Sequence, residues 1–500
     1  MQTFKLERIT PESVGISSDN VMNFIKALEG LGLFTHSLLI AKGNGIISET
    51  YYKPFEQCTL HRQYSVSKSF ISAAVGVAVT EGLFSLDDVI IDYFPEYKSE
   101  LTDDGLYGRC TVRDMLTMSS NVSSNVYWWG KFQSRAEAYY SQTSSKAPGQ
   151  LFCYDSVGCF LLGSIIQKLT GMDFLEYLKN RCLGELGFSK ESYVLTEPGG
   201  YGVGDSGVMC TLRDLLILAR LFACRGELGG KRYISEEYAT EAISALSYND
   251  IYDGINPLKT GGYGYLIWIT EIGFALVGLG SQLALYDRKN DVTLVINSDN
   301  QGYRPANELI YQAFKEGLLP HFSTESVEEK EAEFKKLEEF EKTRILRYHN
   351  ESVSTNIRPK VHEKDYITVA GGTDKIKSFR VSFFDNYGKI ELEKEDGIVG
   401  FEFGLGYNRP TEFSFGERAR GVTMGIWETG AYGCLVSAGF VRDNTLSITL
   451  QVIDTYFGKL RFTICFNNDE ASMYIYGSGQ YVFDGISINV YGKIEKEKAL

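Results

Sequence analysis

The sequence predicts an α+β chain in two parts. A mixed segment over residues 1–320 combines an antiparallel sheet, flanking helices and a helical region, and an all-β barrel or sandwich follows over 356–500. Three observations carry this prediction. Strand-like runs stand at both ends of the first segment around a mainly helical middle. A charged stretch over 321–355 then changes the character of the chain abruptly. Beyond it, short apolar-alternating runs recur between Gly, Asn and Asp. The chain has 500 residues, of which 44% are hydrophobic and 23% charged, enough apolar material for large cores and a length suited to two to four domains.

Ser17 or Ser18 can cap a helix that carries Val21, Phe24, Ile25 and Leu28 on one face. HSLLIAK and IISETYY flank Gly43-Asn44-Gly45 and read as a hairpin. From Ser65 to Leu246 the pattern is mainly helical, with cap-like starts at Ser85, Thr111 and Thr211, each followed by an acidic residue within three positions. GYGYLIWIT, FALVGLGSQLALYD and VTLVINS read as three strand-like runs, and RPANELIYQAFKEGL as a closing helix. Strands from both ends of the segment predict one mixed sheet. Val327, Phe334, Leu337 and Ile345 recur at helical spacing through the charged stretch, which predicts an exposed helical linker laced with i,i+4 pairs. After residue 355 the runs FRVSFFDNYG, KIELEKEDG, IVGFEFGLG, GCLVSAGF, TLSITLQVID, KLRFTICFNND and ASMYIYGSG predict the β-domain.

A net charge of −14 and a pI near 5.1 argue against a nucleic-acid footprint and a polybasic membrane anchor. The run Phe70–Val79 is too short to span a bilayer, and MQTFKLERITPESVG lacks an apolar signal core. The expected location is the cytoplasm, although a chain trimmed of its signal peptide would read the same way. Nine scattered cysteines without a C-x-x-C pair read as free, mostly buried thiols in a reducing compartment. Only His36 and His61 precede residue 321, which leaves few candidates for a His-based triad or a metal site.

Ser65-Val66-Ser67-Lys68 is the central feature. A serine hydroxyl needs a nearby base to become a nucleophile, and positions i and i+3 share a helix face. The apolar FISAAVGVAV that follows supports a buried helix. Its N-terminus would favour negative charge on the attacking oxygen and supply an oxyanion N–H.

The surroundings of this motif resemble the serine beta-lactamase and penicillin-binding protein superfamily, on the branch of class C beta-lactamases, D-aminopeptidases and SxxK esterases. The likeness is collinear over residues 1–320. It runs through TPESVG, YSVSKSF, EGLFSLDDVIIDYFPE, TVRDMLTMSS, PGQLFCYDSVGCFLLGSIIQKLTGMDFLEYL and GVMCTLRDLLILARLFACRGELGGKRYIS. It implies a beta-lactamase/transpeptidase-like fold, with Tyr154-Asp155-Ser156 in the place of the family's Y-x-N. By that analogy Tyr154 exchanges protons with the nucleophile and leaving group, while Lys68 holds its protonation state. A phenol is a poor base near neutrality, and adjacent positive charge makes the exchange practicable. Ser156 replaces the family's Asn, so one hydroxyl stands where an amide would contact substrate.

The family's third motif, Lys/His-[ST]-Gly, has a literal match at Lys259-Thr260-Gly261, but this precedes GYGYLIW whereas the family motif lies on the strand after that block. The positional equivalent is Gly278-Leu279-Gly280-Ser281. The resemblance therefore implies Gly278 and Gly280 as substrate-lining positions and the Ser281 N–H as the oxyanion partner of the Ser65 N–H. Gly278 stands where the family's cation would be, which favours a neutral ester or amide over a substrate bearing a carboxylate.

Gly204-Asp205-Ser206-Gly207 resembles the trypsin-like nucleophile loop but lacks a partnering His. Tyr127, Trp128 and Trp129 are candidates for lining a cleft or packing a core. Asn121-Val122-Ser123 and Asn350-Glu351-Ser352 are formal glycosylation sequons.

The expected activity is that of a serine hydrolase working through an acyl-enzyme on a small ester, amide or peptide-like substrate, with no metal or organic cofactor. A beta-lactamase or D,D-peptidase/D-aminopeptidase is the rival within enzymes, and a non-catalytic binding or sensor protein the rival outside them. The β-domain could bind a ligand, cap the cleft or support a homo-oligomer.

Overall fold

The computed structural model describes residues 4–99, 101, 105–122, 132, 134–197, 199–249, 258, 261–325, 327–350, 356–371, 375–414, 431–479, 483 and 485–494. The chain divides into two compact units that part between Ile345 and Leu346.

The first unit is built on an eight-stranded sheet drawn from both ends of its sequence. Its strands are β1 (Glu7–Arg8), β2 (Thr35–Lys42), β3 (Gly45–Tyr51), β4 (Gly262–Tyr263), β5 (Trp268–Ile269), β6 (Gly273–Gly278), β7 (Gln282–Asp287) and β8 (Val292–Ser298), in the order β1-β3-β2-β8-β7-β6-β5-β4. Leu39 faces Val295 across the join between the N-terminal hairpin and the C-terminal strands, and the edge strand β1 alone runs parallel to its neighbour. β6, β7 and β8 are buried along their whole length, as continuous apolar strands covered on both faces must be.

Helix α1 (Ser18–Gly30) begins where the Ser17 hydroxyl accepts the Asn20 N–H, and it buries Val21, Phe24, Ile25 and Leu28. In the helical region, α2 (Ser67–Thr80) packs against α3 (Ser156–Thr170) and α4 (Phe174–Arg181). Residues Ser67–Ala78 of α2 are all buried, consistent with a helix that is apolar all round. Helix α5 (Leu212–Ala223) lies on β2, β7 and β8 and starts with a reciprocal Thr211–Asp214 capping box. Thr111 and Asp114 form the same box at the start of the short helix Val112–Leu116.

Three sequence expectations change. Ser85 exchanges capping-type bonds with Asp88 and Asp87, yet no α-helix follows, because Val89 is extended and bridged to Thr111. GYGYLIWIT forms two short strands, β4 and β5, separated by a turn in which Leu266 has φ 56°. FALVGLGSQLALYD folds back on itself as the β6–β7 hairpin, with Gly278 opposite Gln282.

The charged stretch also differs from the exposed linker expected. Its helix α6 (Glu331–Lys342) packs on α1 and β3, with Leu337 fully buried. Glu341 is buried as well, where it accepts from Ser48 Oγ (2.6 Å) and Arg8 Nη2 (2.8 Å). One apolar position and one paired carboxylate per two turns suffice to dock a helix whose other faces remain charged.

The second unit is a barrel. Its strands are β9 (Lys364–Gly371), β10 (Ser378–Phe383), β11 (Tyr387–Lys394), β12 (Gly397–Leu405), β13 (Arg409–Ser414), β14 (Ala431–Arg442), β15 (Thr445–Val452), β16 (Lys459–Asn467), β17 (Glu470–Ser478) and β18 (Ser487–Ile494). They follow the order β12-β11-β10-β9-β18-β17-β16-β15-β14, and β14 pairs back to β12 through Gly404↔Ser437 and Leu405↔Ala438. Nine strands thus close the ring and β13 adds to β14 outside it. Strict alternation puts Leu460, Phe462, Ile464 and Phe466 inside along β16. Of the two architectures expected, closure selects the barrel.

All nine cysteines are free thiols, five of them buried. Among the described residues no helix is long and apolar enough to cross a membrane.

Candidate active site

Ser65 sits in a tight turn, Tyr64–Val66, immediately before α2. The turn is stitched to a second segment. His61 and Arg62 pair antiparallel with Cys210 and Met209, and Gln63 N donates to Val208 O at 2.9 Å. Val208 N donates to Ser67 Oγ at 3.0 Å, and Arg62 Nε to Ser206 O at 3.0 Å. Tyr64 takes up the sharp change of direction with φ 46°, a left-handed conformation that costs a bulky residue about 1–3 kcal/mol. Its ring lies under the Arg62 guanidinium, 5.0 Å from the centroid.

Lys68 is buried in the first turn of α2, three positions after Ser65. Its Nζ donates to Ser65 Oγ (3.0 Å) and to the Asp205 carbonyl (2.7 Å), and it hydrogen-bonds the Tyr154 side chain. Burial pulls its pKa down, but Tyr154, Cys159 and Asp205 outweigh that and leave it raised. The side chain is therefore an ammonium near neutrality, with its three donors directed at three oxygens.

Tyr154 precedes α3. Asp155 caps that helix by accepting from Val157 N (2.9 Å) and Gly158 N (3.0 Å), which fixes the backbone beside the phenol. The Tyr154 ring stacks on Trp268 at 5.8 Å and 19°, and Trp268 is edged by Tyr263 and Phe152. Ser156 is the first residue of α3 and is buried.

The glycine-rich segment forms the turn of the β6–β7 hairpin, with Gly280 at φ 77° and Ser281 at φ 68°. Gln282 holds the turn by donating to Leu279 O (2.9 Å) and Ser298 O (2.7 Å). Gly278 lies so close to the Ser65 turn that a β-carbon there would stand 2.3 Å from Gln63 O. No side chain fits at this position, which gives the missing cation a steric reason. Lys68 thus contacts both Ser65 and Tyr154, and the 278–281 segment approaches the Ser65 turn through the backbone at Gln63.

Gly204-Asp205-Ser206-Gly207 is not a nucleophile loop: it supplies the carbonyl that holds Lys68. Behind it, Arg135 pairs with Glu197 (3.1 Å) and with Asp205 (3.5 Å), and all three side chains are buried. Burial raises the pKa of Glu197 against the opposing pull of Arg135. Sequence reasoning missed this cluster, because Arg135 and Glu197 carry no motif.

The two early histidines do meet. His61 Nδ1 faces Arg62 O (3.1 Å), so it carries the proton, and His61 Nε2 accepts from His36 Nδ1 (2.9 Å). Burial lowers the pKa of His61 to about 3, which keeps it neutral. Among the described residues no group of three or more His, Cys, Asp or Glu could hold a metal ion. Tyr127, Trp128, Trp129, Lys259 and Thr260 lie outside the described residues, as do Ser123, Glu351 and Ser352 of the two sequons.

The chain is 23% identical over 285 residues to a 6-aminohexanoate-dimer hydrolase from Paenarthrobacter ureafaciens, a match spanning 52% of this chain and 71% of that protein. It is 26% identical over 151 residues to a beta-lactamase from Providencia stuartii, across 30% of this chain and 38% of that protein. Among solved structures, a penicillin-binding protein homologue from Caulobacter crescentus superposes with a TM-score of 0.49 at 15% identity, covering 61% of this chain and 99% of that one. The octameric penicillin-binding protein homologue from Pyrococcus abyssi gives 0.45 at 16% identity, covering 95% and 99%. A family model described as Beta-lactamase matches residues 24–316, more than half of the sequence, and the chain belongs to the beta-lactamase family of serine hydrolases.

Proposed function

We propose that the protein is a serine hydrolase that cleaves a small neutral ester or amide through an acyl-enzyme on Ser65. The observation that carries this reading is the 3.0 Å contact between Ser65 Oγ and the buried Lys68 ammonium, which is itself bonded to Tyr154. Ser65 attacks the carbonyl carbon and gives its proton to Tyr154, which accepts it as a phenolate paired with the Lys68 ammonium and becomes a neutral phenol. The backbone N–H groups of Ser65 and Ser281 stabilise the tetrahedral oxyanion. The leaving group departs with the proton from the Tyr154 phenol; the phenolate so formed deprotonates the attacking water and returns that proton to Ser65 Oγ as the acyl group leaves.

Two observations support a substrate without a carboxylate: Gly278 offers no cation, and its closeness to Gln63 O excludes one. The relative named a 6-aminohexanoate-dimer hydrolase keeps amides within the expected range, although a linear amino-acid dimer ends in a carboxylate of the kind that Gly278 leaves without a cation. A panel of p-nitrophenyl esters, small amides, D-residue peptides and beta-lactams, run on the wild type and Ser65→Ala, tests this reading. Turnover of esters or amides that drops by roughly 10³-fold or more in the variant supports it. Preferential turnover of penicillin would move the assignment to a beta-lactamase, and no turnover of any substrate would favour a binding protein.

A further inference from the structure

Lys68 is a fully buried cation, and a cation removed from water needs a compensating charge. Two of its partners, Ser65 Oγ and the Asp205 carbonyl, are neutral dipoles, and the third, Tyr154, is the group that takes up and returns the proton in the proposed reaction. The carboxylate that acts on Lys68 is that of Asp205, which belongs to a buried cluster in which one guanidinium, Arg135, is shared by two acids, Glu197 and Asp205. Two acids and one guanidinium thus stand together behind the buried Lys68. Asp205 is the member that touches both halves. Its backbone oxygen accepts from Lys68 Nζ at 2.7 Å, and its side chain faces Arg135 Nε at 3.5 Å. Arg135 is anchored in turn, with both its backbone N–H and Nη1 directed at Glu197 Oε2 and its guanidinium over the Phe160 ring at 5.5 Å.

We infer that Asp205 is a positioning residue for the proposed hydrolysis: its carboxylate, facing Arg135, is a counter-charge that biases the protonation state of the Lys68–Tyr154 pair, while its carbonyl fixes where Lys68 points. This inference rests on the reading of Ser65, Lys68 and Tyr154 as the reacting set. Cys159 from α3 and Tyr263 from β4 also face the pair, and burial pushes both of these upward, which keeps them neutral; the buried Asp155 carboxylate, which caps α3, acts on Cys159. Glu197 acts from one step further away, through Arg135.

The sign follows from electrostatics. A buried negative charge makes each proton on a neighbouring pair harder to remove, so its loss lets both leave at lower pH. Asp205→Asn keeps the backbone carbonyl and nearly the same shape while removing the charge. The test is the pH profile of kcat/KM for a p-nitrophenyl ester, measured on the wild type, Asp205→Asn and Glu197→Gln, with folding checked by circular dichroism. Both limbs of the Asp205→Asn profile are expected to move to lower pH by about one unit or more, and those of Glu197→Gln in the same direction by less. Limbs that stay within about 0.3 unit of the wild type in a folded, active variant would overturn the inference. A lowered kcat/KM with an unmoved profile would reduce Asp205 to a structural role and equally overturn it. If Asp205→Asn does not fold, the profile of Glu197→Gln decides by the same criterion. An inactive wild type would instead point to failure of the hydrolase reading, which separates the two claims.

Discussion

At the residue scale, the site depends on how Tyr154 is held. Its ring is clamped against Trp268 and its backbone is fixed by the Asp155 cap, so the hydroxyl can be removed without disturbing its surroundings. Tyr154→Phe should preserve the stack and the thermal midpoint while lowering kcat by about 10²–10⁴-fold, with KM little changed, in steady-state ester hydrolysis. An equal rise in KM would mean that the phenol binds substrate instead of moving protons. The Ser65–Lys68 pair was legible in the sequence because it is local: i and i+3 on one helix face meet whatever the tertiary fold. The Asp205 contact was not legible, because it joins residues 137 positions apart. Nothing at Arg135 or Glu197 marks them as partners until the chain folds them into one buried cluster.

At the element scale, the β6–β7 hairpin and the turn that carries Ser65 constrain each other. Gly278→Ala forces a β-carbon to within 2.3 Å of the Gln63 carbonyl, so either the turn before α2 or the hairpin must move. The expected result is a loss of about 1–3 kcal/mol in denaturant unfolding, with a larger proportional fall in kcat/KM than in stability. An unchanged kcat/KM would mean that the hairpin does not help to place Ser65. The sequence showed an apolar run here but not its fold-back, which depends on positive φ at Gly280 and at Ser281, a residue type with no special preference for it. Capping signals proved readable where a helix had room to continue, at Thr111 and Thr211. At Ser85 they misled, because strand pairing of Val89 with Thr111 ended the turn.

At the scale of the whole molecule, the chain divides after Ile345, and α6 belongs to the first unit despite its charged sequence. Its helical spacing was visible, whereas its docking rests on Leu337 and Glu341, which look like ordinary members of a charged run. Leu337→Ala should lower the stability of the first unit by about 2–5 kcal/mol in urea unfolding. Lys335→Ala, which breaks only an exposed pair with Glu331, should change it by less than about 1 kcal/mol. Equal, small effects would show that α6 contributes nothing to that unit. The closed barrel was foreshadowed by the even spacing of its strands, but the pairing of β12 with β14 that closes it is a long-range event no local pattern encodes.

The central claim, that Ser65 is an activated nucleophile, is tested most directly by mass spectrometry of the intact protein after exposure to a fluorophosphonate, followed by peptide mapping. The account predicts one adduct, on the peptide containing Ser65, absent in Ser65→Ala and formed much more slowly in Lys68→Met. Folded wild-type protein that remains unmodified at Ser65, or a label carried by another residue, would contradict it.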